Sequence, residues 1–485
     1  MLFLSVDVGT TCIKYGLYNE LGNLVEYNSS EYQLKNFDNQ YYVDIDKIVE
    51  TIRNILSKLS INYKINSVSF SSIGESFVLL DEQDNIIFYP MLYTDNRGEE
   101  QAKKICNQIS EEEYFNTFGI VPHSMYSISK LLYIKEKHSD IFAKAKKVML
   151  VCDYLGYILT GERVIDYSLA ARTGVFDIEK KQFSSQVLNA FGMNNLSFSS
   201  PAKTGTIVGK IKEQFGLDEA LLVLGSHDQI CATLGAGVFN VGDAADGMGT
   251  VECITAIYEG KSSNLEMGEK GYPCVPFLDD NTYCTYILNF SCGSAVNFFR
   301  KKLLNWDKEK NGDFFECMEK NIDRNPTAIL TLPYFSGAGT PYQDNDACGA
   351  ILGLKTTTDT WEVYQSILEA TAYEMKLNME VVEKYGIKIQ NIVATGGGAN
   401  SPKWLQKKAD IQGIPVKRLQ VSEGGLCGLA MLQSVALKTS KNLVDAKEKF
   451  VKYGYEFLPD KTYSEQHIKQ YSKYKKLYST LKCLL

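Results

Sequence analysis

Histidine is scarce in this chain, four in 485 residues, and the 12 cysteines stand singly with no CxxC pair. Neither a histidine-built metal centre nor a zinc ribbon is expected from that pattern. No apolar run approaches the roughly 18 residues that would span a bilayer, and Asp7 interrupts the short apolar N-terminus before it could act as a signal peptide. These absences lead us to expect a cytoplasmic protein with reduced, mostly buried thiols and no membrane partner. An excess of positive charge is missing too. The 51 Lys and Arg against 58 Asp and Glu leave a net charge of −7, which argues against a nucleic-acid surface. A small anion remains compatible if backbone amides and a metal ion hold it. What is present is ordinary globular material, 45% hydrophobic and 22% charged, in a chain long enough for about two to three domains.

The opening FLSVDVGTTCIKYGLYN reads as two strands, the first carrying Phe3, Leu4 and Val6, the second Ile13, Tyr15, Leu17 and Tyr18. Between them Asp7, Gly9, Thr10 and Thr11 form a tight turn. Such a turn is either a plain polar hairpin or a site for phosphate oxygens and a metal ion, because glycine permits close backbone approach and threonines add donors. The motif is echoed half a chain later, where Gly249-Thr250 precedes Ile254 as Gly9-Thr10 precedes Ile13. A duplicated domain with two facing phosphate turns would explain the echo. Before the second copy, Leu221 to Leu224 read as a buried strand, Gly225 and Ser226 turn it, and Asp228 falls at the start of a helix running toward Gly235 and Gly237.

Elsewhere, Asp46 to Leu59 have the i, i+3, i+4 spacing of an amphipathic helix. Glu75 lies in a polar turn between two strands and is either an exposed turn residue or a ligand to a hydroxylated molecule. Tyr93, Asp95 and Arg97 precede a charged helix, where the Asp and Arg can form a cap and an ion pair. Residues 124–160 alternate helical segments with polar joints, and VIDYSLAARTGVFDI returns to strand character. A strand and a long helix follow from Gly349, with Asp359 and Glu362 at capping-box spacing and Gly386 as the stop. Next come a strand, the triple glycine Gly396 to Gly398 and a helix. The C-terminal KQYSKYKKLYSTLKCLL reads as a helix with a solvated basic face. Three familiar motifs fail. TGTIVGKI, with Gly205 and Lys210, is one residue short of a P-loop and has Ile211 in place of Ser or Thr. Ser226-His227-Asp228 are consecutive and cannot converge as a hydrolase triad. No GxGxxG is complete.

Taken in order, these features resemble the FGGY family of carbohydrate kinases, within the actin-like ATPase superfamily. The most specific part is GAILGLKTTTDTWEVYQSILE, Gly349 to Glu369, which fits the family's C-terminal signature. The N-terminal signature is matched less closely: MYSISKLLYIKEK has Ser127 and Lys130, but Tyr133 stands where Trp is usual and Lys137 is off pattern. The resemblance implies an α/β fold of two ribonuclease H-like (actin-like ATPase) domains with a cleft between them. Residues 1–240 would carry the sugar site and the first phosphate turn, and residues 241–485 the second phosphate turn and the adenosine site.

The resemblance also implies ATP and Mg²⁺ between the two turns. Asp7, Thr10 and Thr11 belong to the first, with Asp7 serving the metal through water, and Gly249 and Thr250 to the second. Gly293, Asn297, Gly397, Gly398 and Asn400 match segments that hold the nucleotide. Asp228 matches the catalytic aspartate and touches the substrate, orienting a hydroxyl and taking its proton as the phosphoryl group moves. Glu75, Tyr93 and Asp95 align with the sugar pocket. The function implied is ATP-dependent phosphorylation of a sugar hydroxyl, with a ketopentose such as xylulose or ribulose ranked first. Another sugar or a sugar acid comes second and glycerol third. Glu75 and DYSLAARTGVFDI resemble glycerol kinases, Gly74 and Met125 depart from them, and YTDNR is closer to the WNDxR stretch of ketopentose kinases. The alternative from another class is a non-metabolic actin-like ATPase. The family resemblance also suggests a homodimer.

Overall fold

The computed structural model describes residues 1–37, 39–217, 219–420 and 423–484. The opening stretch forms a hairpin, with Leu2–Val8 antiparallel to Cys12–Asn19 and Val8 opposite Ile13 at its end. Phe3, Leu4, Val6 and Val8 are all buried, because this strand is central and has neighbours on both sides: Ser67–Ser72 runs parallel to it opposite the hairpin mate. Among the described residues this sheet has six strands, in the order Ile207–Lys210, Leu221–Val223, Ser67–Ser72, Leu2–Val8, Cys12–Asn19, Leu24–Glu31. The amphipathic helix spans Ile45–Asn62, capped by the Asp44 side chain, and adds Ile48, Ile52, Leu56 and Leu59 to the core that holds Leu4 and Val68.

The second sheet repeats the plan. Its central hairpin joins Asp243–Met248 to Glu252–Glu259; Thr282–Asn289 extends it on one side, and Asn391–Thr395 and Val416–Leu419 run parallel on the other. The echo of Gly9-Thr10 in Gly249-Thr250 is thus an echo of topology, since both turns join corresponding strands of like sheets.

Within residues 124–160, read as helical segments with polar joints, Lys147–Leu150 is a strand, and two further segments differ from the sequence expectation. VIDYSLAARTGVFDI is not strand throughout: Val164–Asp166 and Phe176–Asp177 are strands, but Tyr167–Ala171 is a short helix. The cause is Asp166, whose carboxylate accepts from the backbone N–H of Ser168 and Leu169 and caps the helix. The C-terminal helix, Lys461–Leu481, does more than present lysines to solvent: Tyr471, Tyr474, Leu477 and Tyr478 pack on Tyr334, Ala370 and Tyr373. No helix among the described residues is long and apolar enough to cross a membrane.

The two sheets are joined by a pair of helices. Gly424–Ala436 lies in the chain between Val416–Leu419 and Tyr453–Phe457, two strands of the second sheet, but packs on Leu2–Val8 and Ser67–Ser72 of the first. It crosses Asp228–Gly235, which touches the central hairpin of the second sheet. The crossing is a backbone contact. A Cβ on Gly235 would lie 1.8 Å from the Gly424 carbonyl oxygen, and one on Gly428 would lie 2.0 Å from that of Cys231. Neither obstacle is a side chain that could swing aside. Gly428→Ala is therefore expected to lower the unfolding free energy by roughly 3 kcal/mol, read as an earlier urea midpoint at unchanged slope.

Candidate active-site cleft

Asp228 is the first residue of the crossing helix, and its Oδ1 accepts from the backbone N–H of Gln229 at 2.6 Å. A third of its side chain is open to solvent (33%). Burial of the rest pushes its pKa up to about 6, with Glu75 reinforcing the shift and the Gln229 hydrogen bond and Arg172 opposing it. Asp7 closes the first strand and accepts a hydrogen bond from Ser71 Oγ at 2.6 Å. Burial, and then the facing Asp228 carboxylate, push it up to about 6 as well. Two carboxylates thus share this part of the cleft, and among the described residues neither is paired with a lysine or arginine.

No group of three or more His, Cys, Asp or Glu side chains able to hold a metal ion occurs among the described residues. A pair of unneutralised carboxylates nevertheless fits Mg²⁺, which keeps several waters and takes one or two carboxylates together with substrate phosphates. The consecutive residues before Asp228 diverge. Ser226 Oγ donates to Asp166 Oδ2, while His227 turns its Nδ1 toward the Tyr286 hydroxyl at 3.3 Å and its Nε2 toward Asp228 at 3.3 Å. Burial, then Arg172, push the His227 pKa down to about 4.

Glu75 sits in the joint where the chain leaves the first sheet for a smaller one entered at Phe77. Its backbone has φ +58°, strained for a non-glycine residue, and its side chain is 3% exposed. The reading of Glu75 as an exposed turn residue is therefore overturned. The carboxylate is paired with Arg172, whose Nε and Nη2 both contact Oε1 and whose guanidinium lies near the Tyr126 and Tyr286 rings, 5.1 and 5.9 Å from their centroids. Sequence reasoning missed Arg172 because it treated that stretch as strand; the signal was available, since a buried glutamate requires a cation.

Tyr93 is 40% exposed, and its hydroxyl pKa is raised by burial and by the carboxylates of Asp228 and Glu75, which puts it in their company. Asp95 is otherwise engaged: Arg97 holds its carboxylate through Nε and Nη2, and the Arg97 backbone N–H donates to it as well. Lys130 is wholly buried and donates from Nζ to the carbonyls of Leu92 and Met125 at 2.6 and 3.1 Å, securing the chain before Tyr93.

Each hairpin turn is closed by its own backbone. In the first, Gly9 N–H donates to Cys12 O and the Tyr32 hydroxyl donates to Gly9 O, leaving Thr10 half-buried and Thr11 exposed at the tip. In the second, Gly249 N–H donates to Val251 O, and the helix Gly293–Phe298 docks its first N–H groups on the turn: Gly293 to Gly249 O and Ser294 to Thr250 O, both at 3.0 Å. Position 293 must be glycine, since a Cβ there would lie 2.6 Å from Gly249 O. Beside this turn opens a cavity of about 690 Å³ whose lining brings together Gly249, Thr250, Gly293, Asn297, Gly397, Gly398 and Asn400. Phe315, Tyr364 and Trp404 also line it. These aromatics were not foreseen, because they come from helices whose apolar spacing looks like ordinary core.

Two sheets with matching central hairpins, a carboxylate at the start of the helix that joins them and a roomy cavity at the second hairpin define an actin-like ATPase fold. The chain belongs to the FGGY family of carbohydrate kinases: the family's N-terminal domain matches residues 2–235 and its C-terminal domain residues 276–437. A xylulose kinase of Lactococcus lactis is 26% identical over 98% of this chain and 96% of its own length, and a gluconokinase of Bacillus subtilis is 26% identical over 84% and 82%. The crystal structure of a xylulose kinase from Rhodospirillum rubrum superposes with a TM-score of 0.91 at 20% identity, covering 100% of this chain and 99% of that one, a likeness of fold. The reading as a non-metabolic actin-like ATPase is set aside by the family match.

The Glu75–Arg172 pair generates a prediction of its own. Arg172→Leu leaves a buried carboxylate unpaired and should lower the unfolding free energy by roughly 3–5 kcal/mol. Adding Glu75→Gln should restore most of the loss, a coupling that a double-mutant cycle in urea measures.

Proposed function

We propose that this protein phosphorylates a hydroxyl of a neutral ketopentose, xylulose or ribulose, with ATP as donor and Mg²⁺ as the metal. Kinase chemistry follows from the family, and the relatives that align over nearly the whole chain and are named xylulose kinases support a ketopentose. The observation that carries the choice over a sugar acid is the state of the buried cations. Arg172 is bound to Glu75 and Lys130 to two carbonyls, so neither is free to meet a substrate carboxylate such as that of gluconate. Glycerol ranks below both.

In this reading residues 1–240 form the sugar side and residues 241–485 the nucleotide side. Glu75 and Tyr93 hold hydroxyls of the sugar, and Asp95 contributes by fixing the Tyr93 segment through Arg97. Asp228 accepts the proton of the attacking hydroxyl. A sugar hydroxyl is far weaker an acid than a carboxylic acid, so the carboxylate orients it and takes the proton only as phosphoryl transfer proceeds. Thr10 and Thr11 on one side, with Thr250 beside Gly249 on the other, donate to phosphate oxygens. Gly293, Asn297, Gly397, Gly398 and Asn400 enclose the nucleoside. Asp7, through water, holds the Mg²⁺, which when bound offsets phosphate charge. Much of the acceleration then comes from alignment and from donors aimed at the transferring group in a site that excludes water. A cytoplasmic location and a homodimer complete the reading; light scattering checks the latter.

The direct test is ADP release over a panel of ketopentoses, polyols and sugar acids. Xylulose or ribulose should raise turnover well above the rate without sugar, and gluconate should not; a panel in which nothing exceeds the basal rate would remove the kinase reading. Asp228→Asn should reduce kcat by about 10²- to 10⁴-fold while ADP affinity, measured by calorimetry, stays near that of the native protein.

A further inference from the structure

Beneath the second hairpin turn lie three charged side chains that the proposed chemistry does not use. Lys408, Asp246 and Glu252 have side chains with 0% exposure; the ammonium is 2.5 Å from Asp246 Oδ2 and in contact with Glu252 Oε1. Each belongs to a different element: two of these line the nucleotide cavity, through Met248 and through Pro402 and Trp404, and the third leaves the turn that Gly249 and Thr250 bring to it. Asp246 is on Asp243–Met248, Glu252 begins Glu252–Glu259, and Lys408 is on the helix Pro402–Gln412, one turn beyond the cavity-lining Trp404. Met248 pairs with Glu252 and Asp246 with Ile254, so the two carboxylates share one face of the hairpin and flank its turn.

Stability alone does not account for the cluster, because well-packed apolar side chains of similar volume are commonly as stable as a buried ion pair or more so. An ammonium between two carboxylates supplies direction instead. It donates to Glu252 Oε1 and lies against Asp246 Oδ2, whereas apolar surfaces can slide past one another. The turn's other side is also held, since the Gly249 and Thr250 carbonyls receive the N–H groups of Gly293 and Ser294. With every group ionised the cluster would carry one surplus negative charge under a site for phosphates; burial and the neighbouring Asp246 raise the pKa of Glu252 and so lessen that surplus.

We propose that Lys408, Asp246 and Glu252 are positioning residues for the phosphate part of the nucleotide: together they brace the Met248–Val251 turn so that its amides meet phosphate oxygens. The proposal rests on the reading of that turn as a phosphate turn.

The test uses Glu252→Gln and Asp246→Asn in the full chain, near-isosteric changes that each leave Lys408 one carboxylate. Dissociation constants for ADP and for adenosine are measured by titration calorimetry, with cooperative melting as the check on folding. ADP binding should weaken about tenfold while adenosine binding and the sugar KM stay within about twofold, because adenosine has no phosphates to be misplaced. ADP affinity within about twofold of the native protein in a folded variant overturns the proposal, as does an equal loss for ADP and adenosine, which marks a purely structural role. If either variant does not fold, Lys408→Met combined with Asp246→Asn and Glu252→Gln, which removes all three charges at once, is judged by the same criteria. A failure of the underlying reading shows itself separately, as a native protein that binds ADP no better than adenosine.

Discussion

The backbone contact between Gly235 and Gly428 is the constraint on which the rest of the molecule depends. With no Cβ at the crossing, the helix that begins at Asp228 lies against the one from Gly424 to Ala436 as closely as backbone atoms allow. One helix rests on the first sheet and the other reaches the second. A wider crossing would move the two hairpins apart and carry Asp228 with them. Its carboxylate now acts on Asp7 at the end of the first hairpin's inner strand and on Cys253 in the second hairpin. The carboxylate proposed to take the substrate proton thus sits on the element that joins the two sheets.

The charges in the cleft divide into two kinds. Asp7 and Asp228 repel each other and, among the described residues, neither has a lysine or arginine partner, an arrangement that disfavours ionisation of both until a cation arrives. Glu75 and Arg172, Asp95 and Arg97, and Lys130 with its two carbonyls are satisfied within the protein. The first kind suits binding of a metal–phosphate group. The second holds the walls in place and, by engaging Arg172 and Lys130, leaves a neutral substrate the better match. Lys408 with Asp246 and Glu252 extends the same division beneath the second hairpin turn.

Much of this could be read in advance. The opening turn was legible because its glycine and hydroxyl residues interrupt two apolar runs, and Asp228 because it follows a buried strand at a helix start. Gly249, Gly293, Gly397 and Gly398, which drew notice through a family pattern, share one cavity. Arg172 was not, because its partner Glu75 lies 97 residues away and the short helix that it follows depends on Asp166, a cap indistinguishable in the sequence from a strand residue. Phe315 and Trp404 escaped for a related reason: an aromatic on a helix face has the same spacing whether it meets core or cavity.

The hairpins, their turns, the amphipathic helix near the N-terminus and the family are legible in local pattern, because these depend on periodicity and on backbone preferences that act over a few residues. Which buried charges meet is settled by the packing of distant elements. Lys408 looks like any lysine on a charged helix, and Asp246 and Glu252 like two acids around a turn; their convergence arises from helix packing across a sheet. Pairings of that kind are set by long-range packing in a low-dielectric interior, where an unpaired charge is costly, and short-range pattern carries no record of them.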